Sequence, residues 1–100
     1  MQIKFRNSKL QSQYTRSADA IKAYGNQVGR RYIGRINLIK ATRNFEELKR
    51  LPGLKCHPLV GDRQGQWALT LIGRHRLIIT LAGERLEIVQ IEEVSKHYGD

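Results

Sequence analysis

The sequence predicts an α+β domain, an antiparallel sheet of about four strands packed on two or three N-terminal helices. Two observations carry this expectation. Apolar residues recur at helical spacing as far as Pro52-Gly53 and at strand spacing after it. The second half is also punctuated by Gly61, Gly65, Gly73 and Gly83, which leaves runs of strand length rather than helix length. Helices grouped on one side of an antiparallel sheet satisfy that order and leave the other sheet face partly open. With 100 residues, the chain is read as one domain spanning residues 1–100, with room for one modest core.

Each element follows from its pattern. Gln2-Ile3-Lys4-Phe5 alternates at period two and reads as a short first strand. Asn7 or Ser8 can cap a helix, and Leu10, Tyr14, Ala18 and Ile21 set an amphipathic stripe over residues 9–24. Gly25-Asn26 stops that helix and restarts a second, whose stripe is Val28, Tyr32, Ile36 and Ile39, running to residue 42. So short a connection allows only an antiparallel hairpin or a sharp bend. Residues 44–51 can form a third helix, with Phe45 and Leu48 turned inward and Pro52-Gly53 ending it. Residues 54–59 are short and extended, and residues 61–65 form a polar turn. Trp67, Leu69 and Leu71 then alternate with Gln66, Ala68 and Thr70. After Gly73, His75, Leu77, Ile79 and Leu81 take the core face, and Arg74, Arg76, Ile78 and Thr80 take the open one. Ala82-Gly83-Glu84 makes a tight hairpin connection, residues 86–91 form the last strand, and most of the polar tail lies beyond the sheet edge.

Charge is the strongest global signal. Eighteen Lys and Arg against nine Asp and Glu give +9, more than the ~2–8 that solubility needs, so a polyanion or an acidic protein is the expected partner. Arg30, Arg31 and Arg35 lie off the apolar stripe of the second helix. They are either a solvated face or a contact for phosphate or an acidic partner. No apolar run approaches the ~20 residues of a membrane span. No helix joins a wide apolar stripe to a lysine-rich face, and the alternating N-terminus has no signal-peptide core. No membrane association is expected, and the location expected is cytoplasmic. Cys56 is the only cysteine, so no internal disulfide and no cysteine-based zinc site can form within one chain; it reads as a small buried hydrophobe. In an extended segment Cys56 and His57 point to opposite faces, which argues against a Cys/His catalytic pair.

Chemistry is left to a few side chains. Cleavage of RNA without a metal needs a base for the 2′-hydroxyl proton, an acid for the leaving oxygen and cations for the phosphorane. His57, His75 and His97 are the histidines, and histidine serves both proton roles near neutral pH. Lysine and arginine can hold phosphate, arginine in bidentate fashion. Tyr98 can donate a hydrogen bond or stack on a base. No glycine-rich phosphate loop and no carboxylate cluster suggests a different chemistry, a cofactor or a metal.

The run His57-Pro58-Leu59-Val60-Gly61-Asp62-Arg63-Gln64-Gly65-Gln66-Trp67, followed by Arg74-His75-Arg76, closely resembles the HPLxGDxxGxW…WR signature of the HigB branch of the RelE/ParE-like bacterial toxins. The likeness covers residues 54–98 and is supported by the helix-then-sheet order before them. It implies a RelE/ParE-like fold. It also implies a toxin of a type II toxin–antitoxin system that stops translation by cutting mRNA in the ribosomal A site. The implied partners are the ribosome, mRNA and a cognate antitoxin of helix-turn-helix type encoded beside it. By the same resemblance His57 matches the catalytic histidine, and Arg76 matches the arginine facing the scissile phosphate. His75 stands where the signature has tryptophan. Two departures matter. Val60 replaces a lysine often found before Gly-Asp, so Lys55 or Arg63 is the candidate substitute for binding phosphate, beside Arg74 and Lys96. The tail Lys96-His97-Tyr98 replaces an Asp-Tyr-His order, leaving His97 and Tyr98 as catalytic candidates without the acid. Two alternatives share the fold: a ParE-like toxin that poisons DNA gyrase by binding it, and a catalytically inactive antitoxin-binding module.

Overall fold

The computed structural model describes residues 1–96. Its elements are β1 (Gln2–Phe5), α1 (Ser8–Thr15), α2 (Ser17–Tyr24), α3 (Asn26–Ala41), α4 (Phe45–Arg50), β2 (His57–Pro58), β3 (Gln66–Thr70), β4 (Arg76–Ala82) and β5 (Ile88–Ser95), with a single 3-10 turn at Gly61–Arg63. The α+β class holds, and the sheet is larger than expected. Five strands lie in the order β1-β5-β4-β3-β2. β1 runs parallel to β5, and the other pairs are antiparallel, so the sheet is mixed. Alternation within Gln2–Phe5 marks a strand but carries no information on which neighbour it joins.

The first predicted helix is two. Asn7 caps α1 through its side chain, which accepts from the Leu10 N–H at 2.9 Å. Arg16 then adopts an extended conformation (φ −128°, ψ 104°), ending α1 and starting α2. A hydrogen bond from Ser12 to the Asp19 carboxylate spans the break. Gly25 (φ 87°) turns α2 into α3. The two helices cross closely at Gly29, where a Cβ would lie 2.8 Å from the Ala20 carbonyl carbon and oxygen. α4 packs through Phe45, edge-on to Trp67 of β3 at 4.7 Å between ring centroids.

Two apolar clusters lie on the two sheet faces. The larger joins Leu10, Tyr32, Ile36, Ile39 and Leu48 of the helices to Leu69, Leu77, Ile79, Val89 and Ile91 of the sheet. Each of these large aliphatics contributes about 1.5–3 kcal/mol on full burial. The smaller is Leu59, Ala68 and Ile78, on the face without helices. Ile78 was expected on the open face and is there, yet it is completely buried.

Three details of the second half differ from expectation. His75 and Arg74 belong to the turn between β3 and β4, since β4 begins at Arg76. The β4–β5 connection spans residues 83–87 and holds Leu86 at φ +55°, so Leu86 lies outside the strand. β5 continues to Ser95, so much of the polar segment after Ile91 is inside the sheet.

Candidate active site

His57 stands on the open face because of its strand register. It pairs with Ala68 of β3, and Ala68 pairs in turn with Ile78 of β4 and Ile78 with Glu93 of β5. Paired residues share a face, so His57, Ala68, Ile78 and Glu93 form one row across four strands. β2 is an edge strand, which is where a proline can follow, since Pro58 has no N–H for an inner ladder. Cys56, one residue earlier, packs against the helix-side core, and burial pushes its thiol up to about 11. Cys56 and His57 therefore face opposite ways, as the alternation predicts.

A backbone twist orients the imidazole. Lys55 takes a left-handed conformation (φ 49°), unusual for a side chain of its size, and its carbonyl accepts from His57 Nδ1 at 2.8 Å. A carbonyl can only accept, so Nδ1 carries the proton. In the neutral ring Nε2 is then the nitrogen without a proton, the form a general base requires. It is the Lys55 backbone that touches His57; the Lys55 side chain is exposed.

Arg76 belongs to the neighbouring row, with Thr70 on β3 and Ser95 on β5. It shares the open face with His57 but lies two strands away and two residues along. Strand spacing and rise put their Cα atoms on the order of 12 Å apart. The Arg76 guanidinium is drawn toward the β3–β4 turn, where one nitrogen donates to the carbonyls of Gly73 (2.7 Å) and His75 (3.1 Å). Its Nε is buried and has no hydrogen-bond partner among the described residues. The two matched residues share a face, with the buried Ala68 and Ile78 of the His57 row on the strands between and beside them.

The other candidates are spread around this face. Arg63 donates through Nε to Gln66 Oε1 at 2.9 Å and pairs with the Glu93 carboxylate, so it is already engaged by an anion. Arg74 is exposed in the β3–β4 turn, and Lys96 is exposed just past β5. His97 and Tyr98 lie outside the described residues. Val60, where the toxin signature often has lysine, is 84% exposed. Among the described residues no group of three or more His, Cys, Asp and Glu could hold a metal ion.

Glu92 and Glu93 are residues of this face that the sequence pattern did not reveal. A bulge between Ile78 and Ile79 leaves Glu92 unpaired in the register. As a result both carboxylates reach the open face: Glu93 pairs with Arg63, and Glu92 accepts from Thr80 Oγ1 at 2.7 Å and Gln90 Nε2 at 2.8 Å. The available signal was a change of spacing, from two between Val89 and Ile91 to three between Ile91 and Val94.

Several solved structures share this fold. A YoeB/ParE toxin from Agrobacterium tumefaciens superposes with a TM-score of 0.64 at 18% identity, over 98% of this chain and 100% of that one. YafQ from E. coli strain BL21(DE3) gives 0.60 at 16% identity, over 95% of this chain and 91% of that one. A YoeB–YefM complex from Staphylococcus aureus gives 0.56 at 16% identity, over 98% of both chains. At these identities the likeness is one of fold. No protein-family model matches the sequence, and no curated protein matches it either.

Proposed function

We propose that this chain is the toxin of a type II toxin–antitoxin system, an endoribonuclease of the HigB-like branch that cuts mRNA on the ribosome. The observation that carries the reading is His57, held on the helix-free face with Nδ1 tied to the Lys55 carbonyl. The shared fold with YoeB and YafQ toxins, the signature around His57 and the +9 charge support it. In this reading Nε2 of His57 removes the proton of a 2′-hydroxyl, whose oxygen attacks the adjacent phosphorus. Arg76, whose Nε has no hydrogen-bond partner among the described residues, stabilises the negative phosphorane. The 5′-oxygen leaves with a proton from His57 or from the His97-Tyr98 tail, giving a 2′,3′-cyclic phosphate and a 5′-hydroxyl. Lys55, Arg63, Arg74 and Lys96 would hold flanking phosphates. The partners are the ribosome, mRNA and a helix-turn-helix antitoxin, all in the cytoplasm.

The test is induction in a bacterial host, with mRNA ends mapped and gyrase supercoiling assayed in parallel. Wild type should arrest growth and produce new mRNA ends. His57→Ala and Arg76→Ala should relieve arrest while melting as folded proteins. Full toxicity of both folded variants would sink the site. Inhibited supercoiling with intact mRNA would favour a gyrase poison, and no growth effect would favour an inactive antitoxin-binding module.

A further inference from the structure

Between Asp19 and Glu46 the chain has no acidic residue, yet it carries Lys22, Arg30, Arg31, Arg35, Lys40 and Arg43. Between Asp62 and Glu84 it again has none, and this second stretch contains Arg74 and Arg76. The fold brings the two stretches together. Arg31 donates to the Leu71 carbonyl at 3.2 Å, and Arg35 donates to the Thr70 carbonyl at 3.0 Å, so α3 is fastened to the end of β3 by guanidinium groups. Arg76 bonds the carbonyls of the same turn from the other side, and Arg74 sits at its tip.

The acceptors at this corner are neutral. None of the ion pairs among the described residues engages Arg30, Arg31, Arg35, Arg74 or Arg76; those pairs join Arg43 to Glu47, Lys49 to Glu46 and Arg63 to Glu93. Among the described residues, then, no carboxylate pairs with any of these five arginines. Burial and the nearby Arg31 both push the Arg35 pKa down, as crowded cations should. A groove of about 540 Å³ opens here, lined by Gln27, Arg30, Arg31, Gly34 and Ile72. At Gly34 a Cβ would meet nothing within 4 Å, so the groove is not closed over that turn of helix.

We propose that this groove binds the phosphodiester backbone of RNA, as a contact additional to the His57 face, with Arg30 and Arg31 as phosphate ligands. The inference takes its ligand class from the RNA-directed reading above. Its lining decides between polyanions. A peptide is held mainly by large apolar or aromatic anchors in desolvated pockets, and among the described residues Ile72 is the only large apolar one lining this groove. Guanidinium groups with spare donors suit phosphate oxygens, which they can grip through two N–H groups at once. Phosphate contacts are sequence-independent, so the groove would hold an RNA segment whatever its bases.

The experiment measures binding of a labelled 2′-O-methyl oligonucleotide across a salt series. Such a strand lacks the attacking hydroxyl, so binding is read apart from cleavage. Arg30→Ala/Arg31→Gln, which keeps a donor at position 31 for the Leu71 carbonyl, should weaken binding about tenfold and flatten the salt slope by about 1.4, at ~0.7 per phosphate of a single strand. Arg16→Ala/Arg85→Ala removes the same charge elsewhere and should change binding less than threefold. Equal losses in the two double variants would reduce the effect to net charge and overturn the groove. So would an unchanged slope, or loss of binding to an oligoglutamate peptide with RNA binding intact. A chain that binds through the groove yet cuts no mRNA keeps this inference and loses the nuclease. A chain that cuts mRNA but shows no slope change loses this inference alone.

Discussion

Arg63, in the turn after β2, forms an ion pair with Glu93 on β5 and so reaches across both β3 and β4. Its stem has to pass over the row containing Ala68 and Ile78, which explains how that small cluster is buried on a face without helices. The pair is partly exposed, at 30% for Arg63 and 39% for Glu93, so its electrostatic coupling should be small, about 0.5–1 kcal/mol. The covering role predicts an asymmetry. Arg63→Ala should cost about 1–2 kcal/mol in a denaturant melt, more than Glu93→Gln, because it also uncovers apolar surface. Equal costs for the two variants would mean that Arg63 does not roof the cluster.

Two glycines of α3 should respond to alanine with opposite signs. Replacement by alanine gains about 0.8–1 kcal/mol of helix propensity at either place. At Gly34 nothing opposes the gain, since the new Cβ would meet open space, and stability should rise by about that amount. At Gly29 the new Cβ would lie 2.8 Å from backbone atoms of Ala20, and separating α2 from α3 should cost about 1–3 kcal/mol. The net effect there is a loss. Thermal melts of the two variants give the answer, and stabilisation by Gly29→Ala would show that the helices part easily.

Cys56 should be a poor nucleophile. Its thiol is pushed from 9.0 to about 11 by burial, so at pH 8 its thiolate fraction is about a hundredfold lower than that of an exposed cysteine. Alkylation by iodoacetamide should be correspondingly slow in the native protein and fast in urea. The sign for stability follows. The unfolded thiol releases its proton at lower pH than the folded one, so this contribution is intact below about pH 9 and fades as pH rises toward 11. Rapid native alkylation at pH 8 would contradict the packed position.

Val60 offers a gain-of-function test. It is 84% exposed in the turn that follows β2, at the place where the resembled signature often carries lysine. Val60→Lys should tighten RNA binding about threefold to tenfold and steepen the salt slope by about 0.7, one phosphate on a single strand. No change in the slope would put this turn outside the path of the RNA.

Local signals were legible in the sequence because they depend on nearest neighbours. The cap at Asn7, the stop at Gly25, the helical stripe of α3 and the period-two run of β3 are properties of a few adjacent residues. The break at Arg16 was not legible, because apolar spacing continues across it; the Ser12–Asp19 bond that spans it is a contact between two short helices. The turn position of Arg74 and the five-residue β4–β5 connection also lay outside local alternation.

By itself the sequence determined the α+β class, the basic character of the surface, the opposite facing of Cys56 and His57, and the resemblance that singles out His57 and Arg76. The tertiary structure alone decided how those pieces meet. Register placed His57 in one row with Ala68, Ile78 and Glu93, and put Arg76 in the next. A bulge turned Glu92 and Glu93 onto the open face and gave Arg63 its partner. β1 joined β5 in parallel, from the far end of the chain. The physical reason is common to all three: periodicity reports which face a side chain takes within its own strand, and pairing between distant strands sets what stands beside it.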